Sequence, residues 1–387
     1  MQPAVTFDNL SHFGDRVYLC EVKDGLSLYH YKTCTENDDP LFQQVRGIIF
    51  DKDKNLVMRG FPFTPEYILN DPRLSINREL TENEMFINLN EKLGGDKMNE
   101  YRFFPSFEGT VIRVFNFNNQ WYVSTHKKID ASQSYWSSDE SFETLFRNAI
   151  DYIGRAGSEK DLPYQDYETF FTTLDKDKQY MFLLRATPET RIVSMADNQP
   201  KVLHAGTFVN HQFTLEDKIP GIPFVPEIKF KTFLHMYTFV LKANPMHFQG
   251  ILAMSPTRGF YKLTNPMYAE LYKIRGNTAN LNLRYLQLRV DHPQELNTFL
   301  ALYPEHCQSF SAIEKALLNI AKNIHNIYIR RFIRKEFAVV PPEQYNTLKK
   351  CHGEYIANKN PIYLETVLQI LNKEPAEVLF KMLNSYS

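Results

Sequence analysis

Three segments of the chain alternate apolar and polar residues on both sides of a short polar turn. "RVYLCEVKDGLSLYHYKTC" turns at Asp24-Gly25, "VRGIIFDKDKNLVMRGF" turns across Asp51 to Asn55, and "GTVIRVFNFNNQWYVSTH" turns at Asn118-Asn119. Successive strand side chains point to opposite faces, so this alternation buries one face and wets the other. Gly, Asn and Asp tolerate the positive φ that tight hairpin turns require. The pattern therefore predicts hairpins and antiparallel sheets. Further strands are predicted in "QYMFLLRATPETRIVSM", broken at Pro188, and in "PKVLHAGTFV". A last hairpin is predicted in "FQGILAMSPTRGFYKL".

Helical spacing appears between and after these strands. The stretch from Glu140 reads as a helix ending at Gly154, residues 226–243 read as another, and residues 74–100 read as helix or polar loop. "PMYAELYKIRGN" follows the last hairpin as a helix. Beyond about residue 278 alternation gives way to helical periodicity. In "SAIEKALLNIAKNIHNIYIRRFIRK", Ile313, Leu317, Ile320, Ile324 and Ile327 recur at steps of four and three and line one face. Pro341-Pro342 is expected to stop that helix, with two or three more to follow. The 387 residues suit more than one domain. The expected organisation is an α+β domain with antiparallel sheets over residues 1–278 and an all-helical domain over 279–387.

Lys and Arg number 44 against 45 Asp and Glu, so any nucleic-acid surface must be local rather than global. The four cysteines are scattered, without a Cys-x-x-Cys pair, which fits a reducing, cytosol-like compartment. His306-Cys307 and Cys351-His352 are adjacent pairs, and adjacent residues rarely ligate one zinc ion together. The first residues lack a basic segment followed by an apolar one, and no run reaches the roughly 18 apolar residues a membrane span needs. A soluble protein of the cytoplasm, host cytoplasm or virion is expected.

Four motifs in order then carry a resemblance. "SFEGTVIRVF" is similar to the Lys-x-Asp-Gly motif of covalent nucleotidyltransferases, which include RNA ligases, DNA ligases and capping enzymes. "YMFLLRATPETRIVSM" resembles the segment of ligases in which aromatic-Glu-Leu precedes Pro-Glu-Asn-Arg-Ile-Val. "FQGILAM" resembles their Glu-Gly strand, and "FYKLTNPMYAELYKIRGN" their closing Lys-x-Lys strand and helix. "VRGIIFD" and "MRGFPFTPEY" resemble the start of a T4-phage-type RNA ligase adenylylation domain. The Trp-Tyr-x-Ser-Thr-His-Lys-Lys segment and the helical tail resemble RNA-ligase-like proteins of large cytoplasmic DNA viruses. The resemblance implies a nucleotidyltransferase fold. In it a lysine amine attacks the α-phosphate of ATP or GTP beside magnesium, with basic groups neutralising the phosphate.

This chain departs from that plan at four positions. Ser106 stands where the resemblance places the nucleophilic lysine, and no lysine occurs from Met98 to His126. Leu183 and Gln249 replace two glutamates, and Thr264 replaces the second lysine of the last motif. Glu108, Gly109, Arg113, Arg191 and Lys262 remain. The expectation is a pseudo-ligase that binds RNA ends, caps or nucleotide without transferring them. The expected ligand-binding set is Ser106, Glu108, Gly109, Arg113, Lys127, Lys128, Arg185, Arg191, Gln249 and Lys262, with no metal ligand and no certain cofactor. Two alternatives stay open. One is an active ligase or guanylyltransferase using ATP or GTP with magnesium and a displaced lysine, from Lys127, Lys128 or Lys262. The other is a structural protein with a protein partner on the helical domain.

Each residue also has a plainer role. Glu108-Gly109 can build a tight turn, Arg113 can lie on a polar sheet face, and Lys127-Lys128 can be solvated. Arg185 and Arg191 can clamp a phosphate or pair with Glu189. Trp121 and Phe182 are core residues or pocket rings. Lys322, His325, Arg330, Arg331, Arg334 and Lys335 gather at a helix C-terminus, which favours cations by its dipole and could equally touch RNA phosphates.

Overall fold

The computed structural model describes residues 4–70, 84–156, 162–197 and 199–386. The chain divides into two compact units, Met1–Glu270 and Leu271–Ser387. The expectation for residues 74–83 lies outside the described residues.

Among the described residues the first unit holds three sheets. One has the order β1 (Val17–Lys23), β2 (Leu26–Tyr31), β3 (Arg46–Phe50), β4 (Leu56–Met58). Asp24 and Gly25 at its first turn have φ of 53° and 78°, the left-handed pair that joins twisted strands in a two-residue hairpin. The second sheet uses β7 (Gly109–Phe117), β8 (Gln120–Ser124), β9 (Lys178–Arg185), β10 (Val202–Val209) and β11 (Gln212–Thr214). Its order is β11-β10-β9-β7-β8. The third has the order β5 (Glu66–Ile68), β13 (Gly259–Thr264), β12 (Gly250–Ser255), β6 (Arg102–Ser106). Pairing is antiparallel throughout except between β5 and β13.

Alternation along β7 decides its two faces. Ile112 and Val114 pack with Phe146, Ala149 and Ile150 of the helix Phe142–Ala156. Val111 and Phe115 point the other way, toward Leu26, Leu28, Ile49 and Met58 of the first sheet. The third sheet buries Ile251, Ala253 and Leu263 under two helices, Glu84–Leu93 and Phe233–Lys242.

Two local readings here differ from the sequence. The helix from residue 142 continues past Gly154 to Ala156, and an added Cβ at Gly154 would meet the Gln165 carbonyl at 2.5 Å. Glycine serves close packing in mid-helix rather than ending it. The helix expected at 226–243 begins only at Phe233, where the Thr232 hydroxyl caps it by accepting from the His235 N–H. The segment before it instead bridges to the sheet, with Ile228 opposite Phe103.

The second unit is helical. Its longest helix, Cys307–Tyr328, buries Ile313, Leu317, Ile320, Ile324 and Ile327, the face expected from their spacing. Each such side chain contributes about 2 kcal/mol of apolar burial. Pro341-Pro342 does not end this helix. It loosens into a π turn, Ile329–Ile333, and closes at Arg334. Pro342 starts the next helix, Pro342–Asn358, at a position where a missing N–H costs nothing. Helices Leu281–Asp291, Pro293–Leu302, Leu364–Leu371 and Ala376–Tyr386 complete the unit.

Candidate functional site

Two glycines explain why the chain folds as it does around the motifs. Gly109 opens β7 with φ of 152°, and a Cβ there would sit 2.2 Å from the Leu184 carbonyl oxygen. Gly250 opens β12 with φ of 154°, and a Cβ would sit 2.0 Å from the Leu263 carbonyl oxygen. Each lets two strands close tightly at the rim of one cavity. The residues beside them, Ser106 and Gln249, are held together there: the Gln249 N–H donates to the Ser106 carbonyl at 2.8 Å.

The cavity has a volume of about 420 Å³. Gly109, Val111, Leu183, His204 and Ala205 form one wall from the second sheet. Phe104, Ser106, Gln249, Leu252, Met254 and Lys262 form the other from the third sheet. Tyr31 and Arg46 enter from the first sheet, and Phe61, Phe63, Thr64 and Glu66 from the segment leading into β5. The lining is largely apolar and aromatic, with Arg46, Glu66 and Lys262 as its charged groups. That composition is common to small-molecule sites.

The Lys262 ammonium donates to Gln249 Oε1 at 2.6 Å and pairs with Glu66 at 3.0 Å. Gln249 Nε2 donates to the Phe107 carbonyl at 3.2 Å, and the Thr264 hydroxyl donates to Glu66 Oε1 at 2.6 Å. Ser106 is 5% exposed, and among the described residues its hydroxyl has no hydrogen-bond partner. A serine without an adjacent base is a weak nucleophile near neutral pH. His204 is fully buried, with Nε2 2.9 Å from the Thr207 hydroxyl and its ring stacked on Phe224 at 4.5 Å. Burial pulls its pKa down to about 4.

The structure brings Ser106, Gly109, Gln249 and Lys262 to the cavity, together with Leu183, and leaves the other expected ligand groups elsewhere. Glu108 is turned away and fully engaged. Its carboxylate accepts from the N–H groups of Ile192 (2.7 Å), Val193 (2.7 Å) and Ser194 (2.8 Å), and from the Tyr268 hydroxyl (2.9 Å). Its role is to pin a loop by filling a nest of backbone N–H groups. Arg113 shares a face with Val111 but is sealed beneath the glycines of β3 and the Phe61 segment. It donates to the Gly47 carbonyl and to the Thr125 carbonyl, the latter at 2.5 Å. A Cβ on Gly47 would come within 2.9 Å of its guanidinium. Burial lowers the Arg113 pKa from the usual range, so its charge is costly where it sits.

Arg185 neither lines the cavity nor pairs with Glu189. It donates to Asp197 and to the Glu108 carbonyl, both at 3.1 Å, and lies over the Phe107 ring at 4.2 Å. It therefore orients a cavity ring rather than a ligand. Arg191 is buried in the loop that Glu108 holds. Lys127 and Lys128 lie in the turn after β8, where both backbone N–H groups reach the Thr125 hydroxyl, and Lys128 pairs with Glu21 at 3.6 Å. Phe182 is a core residue, and Trp121 stacks on Phe171 at 5.8 Å, away from the cavity.

Arg46 and Glu66 were missed as site residues. Their signal lay in "VRGIIFD" and "MRGFPFTPEY", segments that already carried a resemblance. Glu66 also sets the charge balance, since it puts a carboxylate in a cavity where Leu183 and Gln249 offer none. Among the described residues no group of three His, Cys, Asp or Glu is placed to hold a metal ion. No described helix is long and apolar enough to cross a membrane.

No protein-family model matches the chain. It is 28% identical over 362 residues to the immediate-early protein ICP-46 homolog of Invertebrate iridescent virus 6, covering 86% of this chain and 72% of that protein. The homolog of Invertebrate iridescent virus 3 is 28% identical over 267 residues, 68% of this chain and 56% of that one. Immediate-early protein ICP-46 of Frog virus 3 is 24% identical over 294 residues, 72% and 66% of the two chains. Among solved structures, a putative ATP-dependent DNA ligase from Aquifex aeolicus superposes with a TM-score of 0.40 at 11% identity, over 80% of this chain and 75% of that one. An archaeal ATP-dependent RNA ligase gives a TM-score of 0.40 at 11% identity, over 78% and 70%.

Proposed function

We propose that this chain, similar over most of its length to immediate-early proteins of iridescent viruses, binds a nucleotide or the end of an RNA without transferring it. It would use a nucleotidyltransferase-type fold whose chemistry is lost, and act in viral or cytoplasmic RNA metabolism. The observation that carries this reading is convergence. Ser106, Gly109, Leu183, Gln249 and Lys262 were singled out from four separate motifs, and all five line one cavity. An aromatic and apolar lining suits a base and ribose, and Arg46 with Lys262 suits phosphate. Ser106 occupies the nucleophile position, with no base bonded to its hydroxyl among the described residues, and Gln249 offers a neutral carbonyl in place of a carboxylate that would hold a cation. ATP or GTP is therefore read as a ligand, and magnesium would arrive with the phosphates rather than on a protein carboxylate cluster. Equilibrium dialysis with ATP, GTP and a capped dinucleotide tests the reading. Saturable binding that weakens about tenfold or more in Lys262→Ala supports it, on the scale of a charge-assisted contact. Absence of binding by all three ligands refutes it.

One observation favours a second reading, a surviving transfer activity with a displaced nucleophile: Lys262 is the lysine that lines the cavity, whereas Lys127 and Lys128 do not. Its contacts to Gln249 at 2.6 Å and to Glu66 at 3.0 Å argue against that role, because together they tie the side-chain nitrogen to the cavity wall.

A further inference from the structure

Charge is unevenly shared along this near-neutral chain. The unit Leu271–Ser387 carries fifteen Lys and Arg against ten Asp and Glu. Much of the excess sits where the long helix Cys307–Tyr328 loosens into the π turn Ile329–Ile333. Over residues 329–337 there are four basic groups and one acid. Arg330 is used internally: it pairs with Glu336 at 3.3 Å and donates to the Phe337 carbonyl at 3.0 Å, bracing the segment after the turn. Arg331, Arg334 and Lys335 are exposed, and none makes an ion pair among the described residues.

The helix dipole accounts for cations at this end but not for what lies beside them. Phe337 is 85% exposed, and Ile333 is 62% exposed. An aromatic ring left open to water on a braced backbone, next to unpaired guanidinium and ammonium groups, pairs the two elements that hold single strands. Cations track the phosphates, and a ring stacks on a base. A duplex keeps its bases stacked on one another and offers no face to such a ring. π turns also interrupt helices at functional positions more often than elsewhere.

We propose that the end of this helix and the braced segment after it form a binding surface for single-stranded nucleic acid, with Arg331, Arg334 and Lys335 on phosphates and Phe337 on a base. The surface uses none of the residues that line the cavity, and the proposal does not depend on the reading of the cavity as a nucleotide site. The test uses the full chain and fluorescence anisotropy with labelled oligouridylate, oligothymidylate and duplex RNA at several salt concentrations. Preference for the single strands, with Arg331, Arg334 and Lys335→Ala together lowering the slope of log K against log salt by about 2, is the expected result. The RNA and DNA arms show which sugar is accepted. Phe337→Ala should weaken binding about fivefold or more while leaving the slope unchanged. Exchanging Lys32, Lys52 and Lys231, exposed elsewhere, for Ala should leave the affinity unchanged. Equal loss in that control triple, or wild-type affinity in the Arg331, Arg334 and Lys335 triple, overturns the proposal. Binding to phosphatidylserine vesicles without any response to the oligonucleotides overturns it in favour of a lipid surface. ATP dialysis on the same proteins keeps the two readings apart, since retained ATP binding in a triple that has lost RNA shows an intact cavity.

Discussion

Glu108 offers the sharpest separation of a structural from a ligand-binding role. Exchange for Gln keeps the shape and removes the charge. With its carbonyl placed as Oε1, the amide still accepts from Val193, Ser194 and Tyr268, but its NH2 then faces the Ile192 N–H that Oε2 accepts at 2.7 Å. One charge-assisted bond becomes a donor–donor contact and three others become neutral, offset in part by no longer burying a charge. The net cost should be about 2–3 kcal/mol. Glu108→Ala strands three backbone N–H groups and a hydroxyl, and should cost about 4 kcal/mol or more. Both tryptophans, Trp121 and Trp136, lie in the first unit, so urea unfolding followed by tryptophan fluorescence reports on that unit. The predicted order is wild type, Gln, Ala in falling stability, with ATP affinity within about threefold of wild type wherever the protein is folded. A Gln variant as stable as wild type that no longer binds ATP would refute the reasoning, because it would make Glu108 a ligand contact.

Three further outcomes follow from the same geometry. Gly109→Ala and Gly250→Ala each force a Cβ to within about 2 Å of a carbonyl oxygen at positive φ, so each should destabilise the first unit by about 3 kcal/mol or more by the same fluorescence assay. Glu66→Gln removes the anionic partner of Lys262 and should tighten ATP binding several-fold in dialysis. His204 has its folded pKa lowered to about 4 by burial. The unfolded state therefore binds more protons between pH 4 and the ordinary value near 6.5, so stability should fall as pH is lowered through that window. His204→Phe should flatten this dependence in unfolding curves at pH 5 and pH 7.5, by an amount on the order of 2 kcal/mol.

Periodic features were the most legible. Asp24-Gly25 and Asn118-Asn119 announced their hairpins because few residues tolerate positive φ, and the isoleucine face of the long helix followed from spacing alone. Motif order picked out Ser106, Gln249 and Lys262 from three distant segments, and these three line one cavity. Depth was not legible. Arg113 and Val111 share a face of β7, yet Val111 reaches the cavity while Arg113 is covered at Gly47, and only the packing of a second sheet decides that. Glu108 looked equally able to serve a turn or a ligand, because its partners, the N–H groups of residues 192–194, come from a loop far along the chain. Glycine and proline misled where they served packing or initiation: Gly154 lies inside a helix and Pro342 begins one.

The central claim is that the cavity holds a nucleotide without transferring it. It is tested most directly by incubating the protein with α-phosphate-labelled ATP, and separately GTP, plus magnesium or manganese, followed by denaturing electrophoresis. The account predicts no labelled band from protein that binds the same nucleotide saturably in dialysis, because among the described residues no base bonds to the Ser106 hydroxyl and Lys262 is held by Glu66. A labelled band that acid removes and alkali leaves intact, and that disappears in Lys262→Ala, would contradict it and identify an active enzyme with a displaced lysine.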